Sequence, residues 1–154
     1  MRAIGFRAEP KAVHYAVIDV DSDAKVVSDH GKFHPPTTYD EAESLKWYRA
    51  HIIQEIEKHQ PDSAGIRFPE VFGRKGVTSS DFRRLRIEGV ILEAIASAGV
   101  SAFGGAMGPI SSAIGATSAK AYKERGEVRG MDWSKCNDYC KEAALAALAS
   151  MGKQ

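Results

Sequence analysis

The feature that most constrains this chain is a strand–loop–helix–strand unit over residues 63–105. Residues 63–68 form a short apolar run of strand length, and Pro69 ends it because proline cannot donate to a sheet ladder. The strongest helix pattern in the protein follows over 80–98, and Gly99 ends it before the next apolar run. Such a βαβ unit requires two parallel strands joined by a right-handed crossover.

The predicted helix over 80–98 is apolar on two opposite sides, so we expect it to be covered on both of them. Gly89 costs the helix about 1 kcal/mol relative to alanine. Its place within one apolar stripe predicts that a neighbouring backbone approaches closely there. The first stripe contains Phe82, Leu85, Gly89, Leu92 and Ala96, and the second contains Ile87, Ile91, Ala94, Ile95 and Ala98.

Three strands are predicted before the βαβ unit, at 3–8, 12–20 and 26–33, and they can pair as an antiparallel meander. With the helices, the element order is βββαβαβαα. This order predicts an α/β fold of one domain, 154 residues long, in which a mixed five-stranded sheet has helices on both faces.

The helices outside the unit have their own start and stop signals. Thr38 with Glu41 three residues later forms a capping box, which predicts a helix that ends before Pro61. After the unit, small residues over 109–125 indicate a helix broken at a glycine. A last helix is predicted over 134–151.

Composition excludes several classes of protein. The net charge is +1, which argues against a globally basic nucleic-acid binder but leaves a local basic patch open. The N-terminal sequence has no apolar core of the kind found in a signal peptide, and no apolar run approaches the roughly 18 residues of a membrane span. We therefore expect a soluble cytoplasmic protein that does not enter a membrane.

Several short segments share a pattern with one superfamily. They read IGFRA at 4–8, IR at 66–67 with a phenylalanine at 72, EGVIL at 88–92, and EAALAA at 142–147. A proline, a glycine and an Ala–Lys pair also follow the fifth strand, at 109, 115 and 119–120. Together with the element order, they resemble the ribonuclease H-like superfamily, and within it the Holliday-junction resolvase (RuvC-type) branch and small bacterial proteins of the same superfamily.

The resemblance implies two-metal hydrolysis of phosphodiesters, with carboxylates from strand one, strand four and the last helix as Mg²⁺ ligands. This chain departs from that pattern, because Arg7 stands at the strand-one position and Arg67 at the strand-four position. Two guanidinium groups would repel the metals. Only the last helix keeps acids, Asp138 and Glu142, four residues apart on one face.

Three interpretations of this altered site follow. The arginines can bind a phosphate or carboxylate ligand, a role that suits their forked guanidinium groups. Alternatively, Arg7 and Arg67 form a structural ion-pair network with the acids and fill a former active site. In the third interpretation Glu9 and Glu70, two and three residues beyond the lost positions, replace the missing ligands and preserve a Mg²⁺-dependent endonuclease.

A run of basic side chains lies between residues 74 and 86, with Asp81 as its one acid. This run predicts contacts with the phosphate backbone of a nucleic acid, and the alternative is an ordinary solvated face. The predicted nucleic-acid contacts are Arg74, Lys75, Arg83, Arg84, Arg86 and, beyond the run, Lys120.

The metal-binding residue types are few. Cys136 and Cys140 fit neither a disulfide framework nor a zinc pattern, so we expect free thiols. His30 and His34 share a strand face, but no third ligand is evident in the sequence. We therefore expect no metal site and no cofactor, with Mg²⁺ reserved for the nuclease alternative.

The sequence favours a RuvC-like domain that has lost nuclease catalysis and acts by binding nucleic acid or a protein. The first alternative is an active metal-dependent nuclease with relocated carboxylates. The second is a structural or oligomerising protein without a nucleic-acid role. The resemblance also implies a homodimer.

Overall fold

The computed structural model describes residues 1–22, 24–70 and 76–152. The order of its strands and helices agrees with the predicted order as far as the fifth strand. In chain order they are β1 Arg2–Glu9, β2 Ala12–Asp21, β3 Ala24–Phe33, α1 Glu41–His59, β4 Ser63–Arg67, α2 Ser79–Ser97, β5 Ser101–Gly105, α3 Met107–Ala113, α4 Ala119–Tyr122, β6 Glu127–Val128, β7 Met131–Asp132 and α5 Asp138–Met151.

The main sheet has five strands in the order β3-β2-β1-β4-β5. Strands β1, β2 and β3 are antiparallel neighbours, whereas β4 runs parallel to both β1 and β5. The register of β2 against the edge strand β3 shifts between Val17 and Ile18. The predicted mixed five-stranded sheet is confirmed, and the first strand of the chain lies at its centre.

Helices cover both faces of this sheet, as predicted. On one face α1 and α2 pack on large side chains such as Ile4, Phe6 and Ile66, all fully buried. On the other face α5 packs with α3 and the connection between them, around a fully buried Met131 and a nearly buried Trp133. Alternating side chains of β1 thus contribute to two separate cores.

Helix α2 is covered on one side only. Its second stripe, with Ile87 and Ile91, is buried, but Phe82 and Leu85 on the first stripe are 52% and 37% exposed. A side chain added at Gly89 would meet nothing within 4 Å. The predicted coverage of both sides and the predicted close approach at Gly89 are therefore wrong for the described part of a single chain.

The start of α1 also differs from the prediction. Asp40 caps the helix and accepts a hydrogen bond from the backbone N–H of Glu43, whose side chain accepts the N–H of Asp40 in return. The predicted capping box at Thr38 is therefore wrong. The reason is local, because the same spacing of cap and acid recurs two residues later and Asp40 is an equally good cap.

The region between β5 and α5 contains more structure than predicted. The break at Gly115 is confirmed by its φ of 63°, which separates α3 from α4. The segment between α4 and α5 contains the short hairpin of β6 and β7, which the sequence does not predict. The last helix begins four residues later than predicted, where Asn137 caps it. Among the described residues, no helix is long and apolar enough to cross a membrane.

Candidate functional site

Helix α5 lies directly on the backbone of the two central strands. A Cβ added at Gly5 of β1 would lie 1.8 Å from the carbonyl oxygen of Ala143, and one at Gly65 of β4 would lie 2.0 Å from that of Ala146. Only glycine permits this approach. The contact positions Glu142, one residue before Ala143, at the end of β1 and β4.

Two arginines meet Glu142 there. Arg7 and Arg67 are register partners at the ends of the parallel strands β1 and β4. Arg7 Nε donates to Glu142 Oε2 at 2.5 Å, and Lys123 Nζ donates to Glu142 Oε1 at 2.8 Å. Arg67 Nε lies 3.5 Å from Oε2. The structure therefore brings the strand-one, strand-four and last-helix positions together around one carboxylate.

The Glu142 carboxyl is held in its charged form. Its residue is only 7% exposed, and this burial alone would raise the pKa. The hydrogen bonds from Lys123 and Arg7 and the charges of Arg7 and Arg67 outweigh burial, so the pKa of Glu142 lies below its ordinary value. Both carboxylate oxygens are thus committed to cations of the protein.

Not all guanidinium groups near Glu142 are satisfied. Arg67 is 7% exposed and donates to Glu70 Oε1 at 3.2 Å, but its Nε and Nη1 find no hydrogen-bond acceptor in the described part of the chain. Burial lowers the pKa of Arg67, while the charge of Glu142 opposes that shift. Buried donors without acceptors are uncommon, so the cluster holds more cationic donors than its own acids can satisfy.

A second buried pair lies on α2. Arg84 Nε donates to Glu88 Oε1 at 2.8 Å, and Arg84 Nη2 is buried without an acceptor among the described residues. Burial raises the pKa of Glu88, and the nearby charges of Arg84, Arg7 and Arg67 offset only part of the shift. We call Arg7, Arg67, Arg84, Lys123, Glu88 and Glu142 the arginine cluster.

Of the remaining acids proposed from the sequence, Glu70 contacts the arginine cluster through Arg67, and Glu9 and Asp138 lie outside it. Glu9 Oε2 contacts His14 Nε2 at 2.5 Å and Lys32 Nζ at 3.5 Å. Glu70 accepts hydrogen bonds from Arg67 and from the backbone N–H of Met107. Asp138 is exposed on the first turn of α5.

Within the described residues, these acids do not form a compact group of ligand atoms with Glu142. Among the described residues, each group of three or more potential ligand atoms within 4.8 Å of one another excludes all four candidate acids, Glu9, Glu70, Asp138 and Glu142.

The predicted basic surface is divided by the fold. Arg83 is exposed, Arg86 is exposed but donates to Glu41 Oε1 at 2.7 Å, and Arg84 turns inward to the arginine cluster. Lys120 is exposed on α4. The predicted contacts Arg74 and Lys75 lie outside the described residues.

Sequence reasoning missed several members of the site. Tyr139 stacks on His14 with ring centroids 4.8 Å apart, and the Arg7 guanidinium lies 5.4 Å from the Tyr139 ring centroid. Lys123 and Glu88 complete the arginine cluster. Lys123 lies in a connection and Glu88 in an apolar helix, and neither position carries a sequence signal that pairs it with Arg7 or Arg67.

A groove of about 720 Å³ lies beside the β1–β2 turn and the start of α1. Its charged lining includes Lys11, Lys32 and Arg83 as well as Glu9, Asp40 and Glu41. The two signs balance, so the lining of the groove does not favour an anion over a cation.

Comparison with solved structures identifies the fold. RuvC of Thermus thermophilus in complex with a Holliday junction substrate superposes with a TM-score of 0.77 over 99% of this chain and 94% of that chain, at 14% sequence identity. The yeast mitochondrial Holliday junction resolvase Ydc2 superposes with a TM-score of 0.63 over 97% of this chain and 78% of that chain, at 11% identity.

No family model matches the chain, and no curated protein matches its sequence. The structural likenesses nevertheless cover almost every residue of the chain. It therefore has the ribonuclease H-like fold in its RuvC-type form, as the sequence motifs predict.

Proposed function

We propose that this protein is a RuvC-type domain without nuclease activity that binds nucleic acid through phosphate contacts. The observation that carries the proposal is the arginine cluster. Arg7 and Arg67 stand side by side at the strand ends where the resemblance implies metal-binding carboxylates, and Glu142 is bound to Arg7 and Lys123.

The cluster cannot readily exchange its cations for Mg²⁺. A hard divalent cation requires several oxygen ligands, and the two oxygens of Glu142 already accept charge-assisted hydrogen bonds from Arg7 and Lys123. The charge of Arg67, 3.5 Å from the same carboxylate, adds repulsion to an incoming metal ion. Hydrolysis through this site is therefore disfavoured by both geometry and charge.

An anionic partner, in contrast, suits the cluster. Four cations surround Glu142 and Glu88, and N–H groups of Arg67 and Arg84 remain without acceptors in the described structure. Planar guanidinium groups match phosphate geometry. Lys123, with a side chain 20% exposed, is the most accessible cation of the cluster. The likeness to a RuvC solved with a Holliday junction makes nucleic acid the partner of choice.

Two measurements on the purified protein test this function. Labelled four-way junction, duplex and single-stranded DNA and RNA are incubated with Mg²⁺ or Mn²⁺, and we expect no cleavage. Binding of the same molecules is titrated at several salt concentrations. We expect sequence-independent binding with a dissociation constant on the order of 10⁻⁴ to 10⁻⁶ M near physiological salt.

A matched pair of variants links binding to the cluster. Lys123→Ala removes one cation at the cluster, and Lys46→Ala removes one exposed cation from α1 on the opposite face of the sheet. On duplex DNA, Lys123→Ala should lower the slope of log affinity against log salt by about 0.9, and Lys46→Ala should leave it unchanged. Metal-dependent cleavage that Glu70→Gln or Glu9→Gln abolishes would instead establish the relocated-carboxylate nuclease. Absence of salt-dependent binding would exclude the nucleic-acid role.

A second candidate function, self-association, rests on the uncovered stripe of α2. Phe82 and Leu85 are exposed, Leu92 is half-buried, and the side of the helix at Gly89 is open. Glycine at the centre of an apolar stripe lets a second helix approach closely, so we propose that a second copy of this chain covers the stripe. Light scattering should show a dimer that Phe82→Glu with Leu85→Glu converts to a folded monomer. A monomeric parent protein would exclude this candidate.

A further inference from the structure

Two cysteines and one histidine, far apart in the sequence, meet at the edge of the sheet. His30 is exposed on the edge strand β3, and Cys136 and Cys140 are buried at the start of α5. One imidazole nitrogen and the two sulfur atoms all lie within 4.8 Å of one another. We propose that these three residues bind a thiophilic divalent metal ion, with Zn²⁺ as the natural occupant.

The backbone fixes the two thiols in place. Asn137 caps α5, and its side-chain oxygen accepts the N–H of Cys140 at 2.8 Å. The N–H of Cys136 donates to the carbonyl of Trp133 at 2.9 Å. The cysteines therefore flank the start of a 14-residue helix.

The histidine lies on a different element, the edge strand β3. His30 is the register partner of Ala16, which is fully buried in the same apolar core as the two cysteines. The His30 ring makes no hydrogen bond within the described part of the chain, so its nitrogens are available to a ligand.

The donor set selects the class of metal. Two sulfurs and one imidazole nitrogen suit Zn²⁺, whereas Mg²⁺ and Ca²⁺ require oxygen ligands. Zn–S bonds of about 2.3 Å in a tetrahedron place the two sulfurs roughly 3.8 Å apart, so side-chain movements of about 1 Å or less bring the two sulfurs to this separation. Three protein ligands leave the fourth coordination position of the metal to water, which reaches it from the side where His30 is exposed.

A second group of potential ligands is less suitable. Asp29, Glu55 and His59 also place ligand atoms within 4.8 Å of one another. Lys58 Nζ lies 3.1 Å from Asp29 Oδ2 and 3.6 Å from Glu55 Oε2, however, so a cation of the protein already pairs with both acids of that group.

The metal would join two elements that make few direct contacts with each other. It would tie the edge strand β3 to the first turn of α5. Tyr139 on that turn stacks on His14, and Glu142 follows three residues later. Zinc at the sheet edge would therefore stabilise the structure beside the arginine cluster. This structural role does not depend on whether nucleic acid binds to the cluster.

The test uses the 154-residue chain, stripped of metal with a chelator, kept reduced with a phosphine and titrated with Zn²⁺ or Co²⁺. We expect one equivalent to bind, a rise in the melting temperature, and a Co²⁺ spectrum with thiolate charge-transfer bands. His30→Ala alters an exposed side chain, so it should fold normally and lose at least about tenfold in affinity. His34→Ala, an exposed histidine outside the group, is the matched control and should bind as the parent does.

Several results would overturn the proposal. Co²⁺ without thiolate bands would place the metal elsewhere, and equal affinity of the parent and His30→Ala would remove His30 from the site. Cys136→Ser and Cys140→Ser should each weaken the thiolate charge-transfer bands, and unchanged bands in either variant would remove that cysteine from the site. Failure of the reduced protein to bind either metal, with a Cys136–Cys140 disulfide on oxidation, would assign the thiols to redox chemistry instead.

Discussion

Helices α5 and α2 cover opposite faces of the sheet, and each buries one glutamate near the ends of β1 and β4. Glu142 on α5 is 7% exposed and Glu88 on α2 is 3% exposed. Among the described residues, Glu142 has Arg7, Lys123 and Arg67 within 3.5 Å, whereas Glu88 has one ion-pair partner, Arg84.

Because of this difference, the pKa values of the two carboxyls shift in opposite directions from the ordinary value. Burial raises both, but the cations around Glu142 outweigh it and lower the pKa of Glu142 below its ordinary value, whereas the pKa of Glu88 remains raised. The number of cations, and not the depth of burial, decides whether a buried acid supports the fold. We therefore expect the free energy of unfolding to depend strongly on the charge of Glu142 on α5 and only weakly on the charge of Glu88 on α2.

The largest expected effect comes from lifting α5 off the sheet. Gly5→Ala places a Cβ against the backbone carbonyl of Ala143, which cannot move without displacing the whole helix. We expect a loss of more than about 4 kcal/mol in the free energy of unfolding, or failure to fold, in chemical denaturation. A soluble variant of near-parental stability would show that α5 is not fixed as described.

The next effect tests the α5 charges directly. Glu142→Gln removes the anion that Arg7, Lys123 and Arg67 share, and should lower the free energy of unfolding by about 3 kcal/mol near neutral pH. A carboxyl with a lowered folded-state pKa stabilises the protein above its ordinary value of 4.5, and this contribution is lost as pH falls through the folded-state pKa. The parent and the variant should therefore converge in acid, and a constant gap would contradict this account.

The corresponding change on the other face should be milder and of opposite pH dependence. Glu88→Gln keeps a hydrogen-bond acceptor for Arg84 and avoids burying a charge, so we expect a change of no more than about 1 kcal/mol. A raised folded-state pKa favours folding below 4.5, and that contribution is lost as pH rises through the folded-state pKa. Denaturation series should show the parent losing stability relative to the variant as pH rises. The opposite trend would mean that Arg84 fully compensates Glu88.

The smallest effect uses the same substitution as the first, at a site with free space. Gly89→Ala in α2 meets no atom within 4 Å, so it should stabilise the protein by up to about 1 kcal/mol through better helix propensity. Thermal unfolding at low protein concentration measures the intrachain effect. A destabilised variant under those conditions would show that the backbone at Gly89 is crowded.

The fold was largely predictable, because strand and helix periodicities and the βαβ constraint leave few topologies. Two predictions were wrong because the local sequence does not distinguish between the alternatives. Thr38 and Asp40 offer the same capping spacing, and tertiary placement of α1 selects the second. An apolar stripe on α2 predicts coverage but does not say whether the same chain supplies it.

The candidate site was predictable only in part. The resemblance identified Arg7 and Arg67 as residues at the site positions, and the last helix supplied Glu142. Lys123 reaches Glu142 from a connection between elements, and His30 reaches the cysteines from an edge strand. No periodicity or spacing in the sequence encodes such meetings, because they depend on how the layers of the fold are stacked.

The glycine contact between β1 and α5 also bears on how the protein is made. Gly5 and its packing partner Ala143 are more than a hundred residues apart, so the helix that covers the central strand is synthesised well after that strand. At translation rates of about 5–20 residues per second, several seconds pass between the synthesis of the central strand β1 and that of helix α5, which packs on it. During that interval one face of the sheet is exposed, so chaperones that shield nascent apolar surfaces have their longest opportunity there.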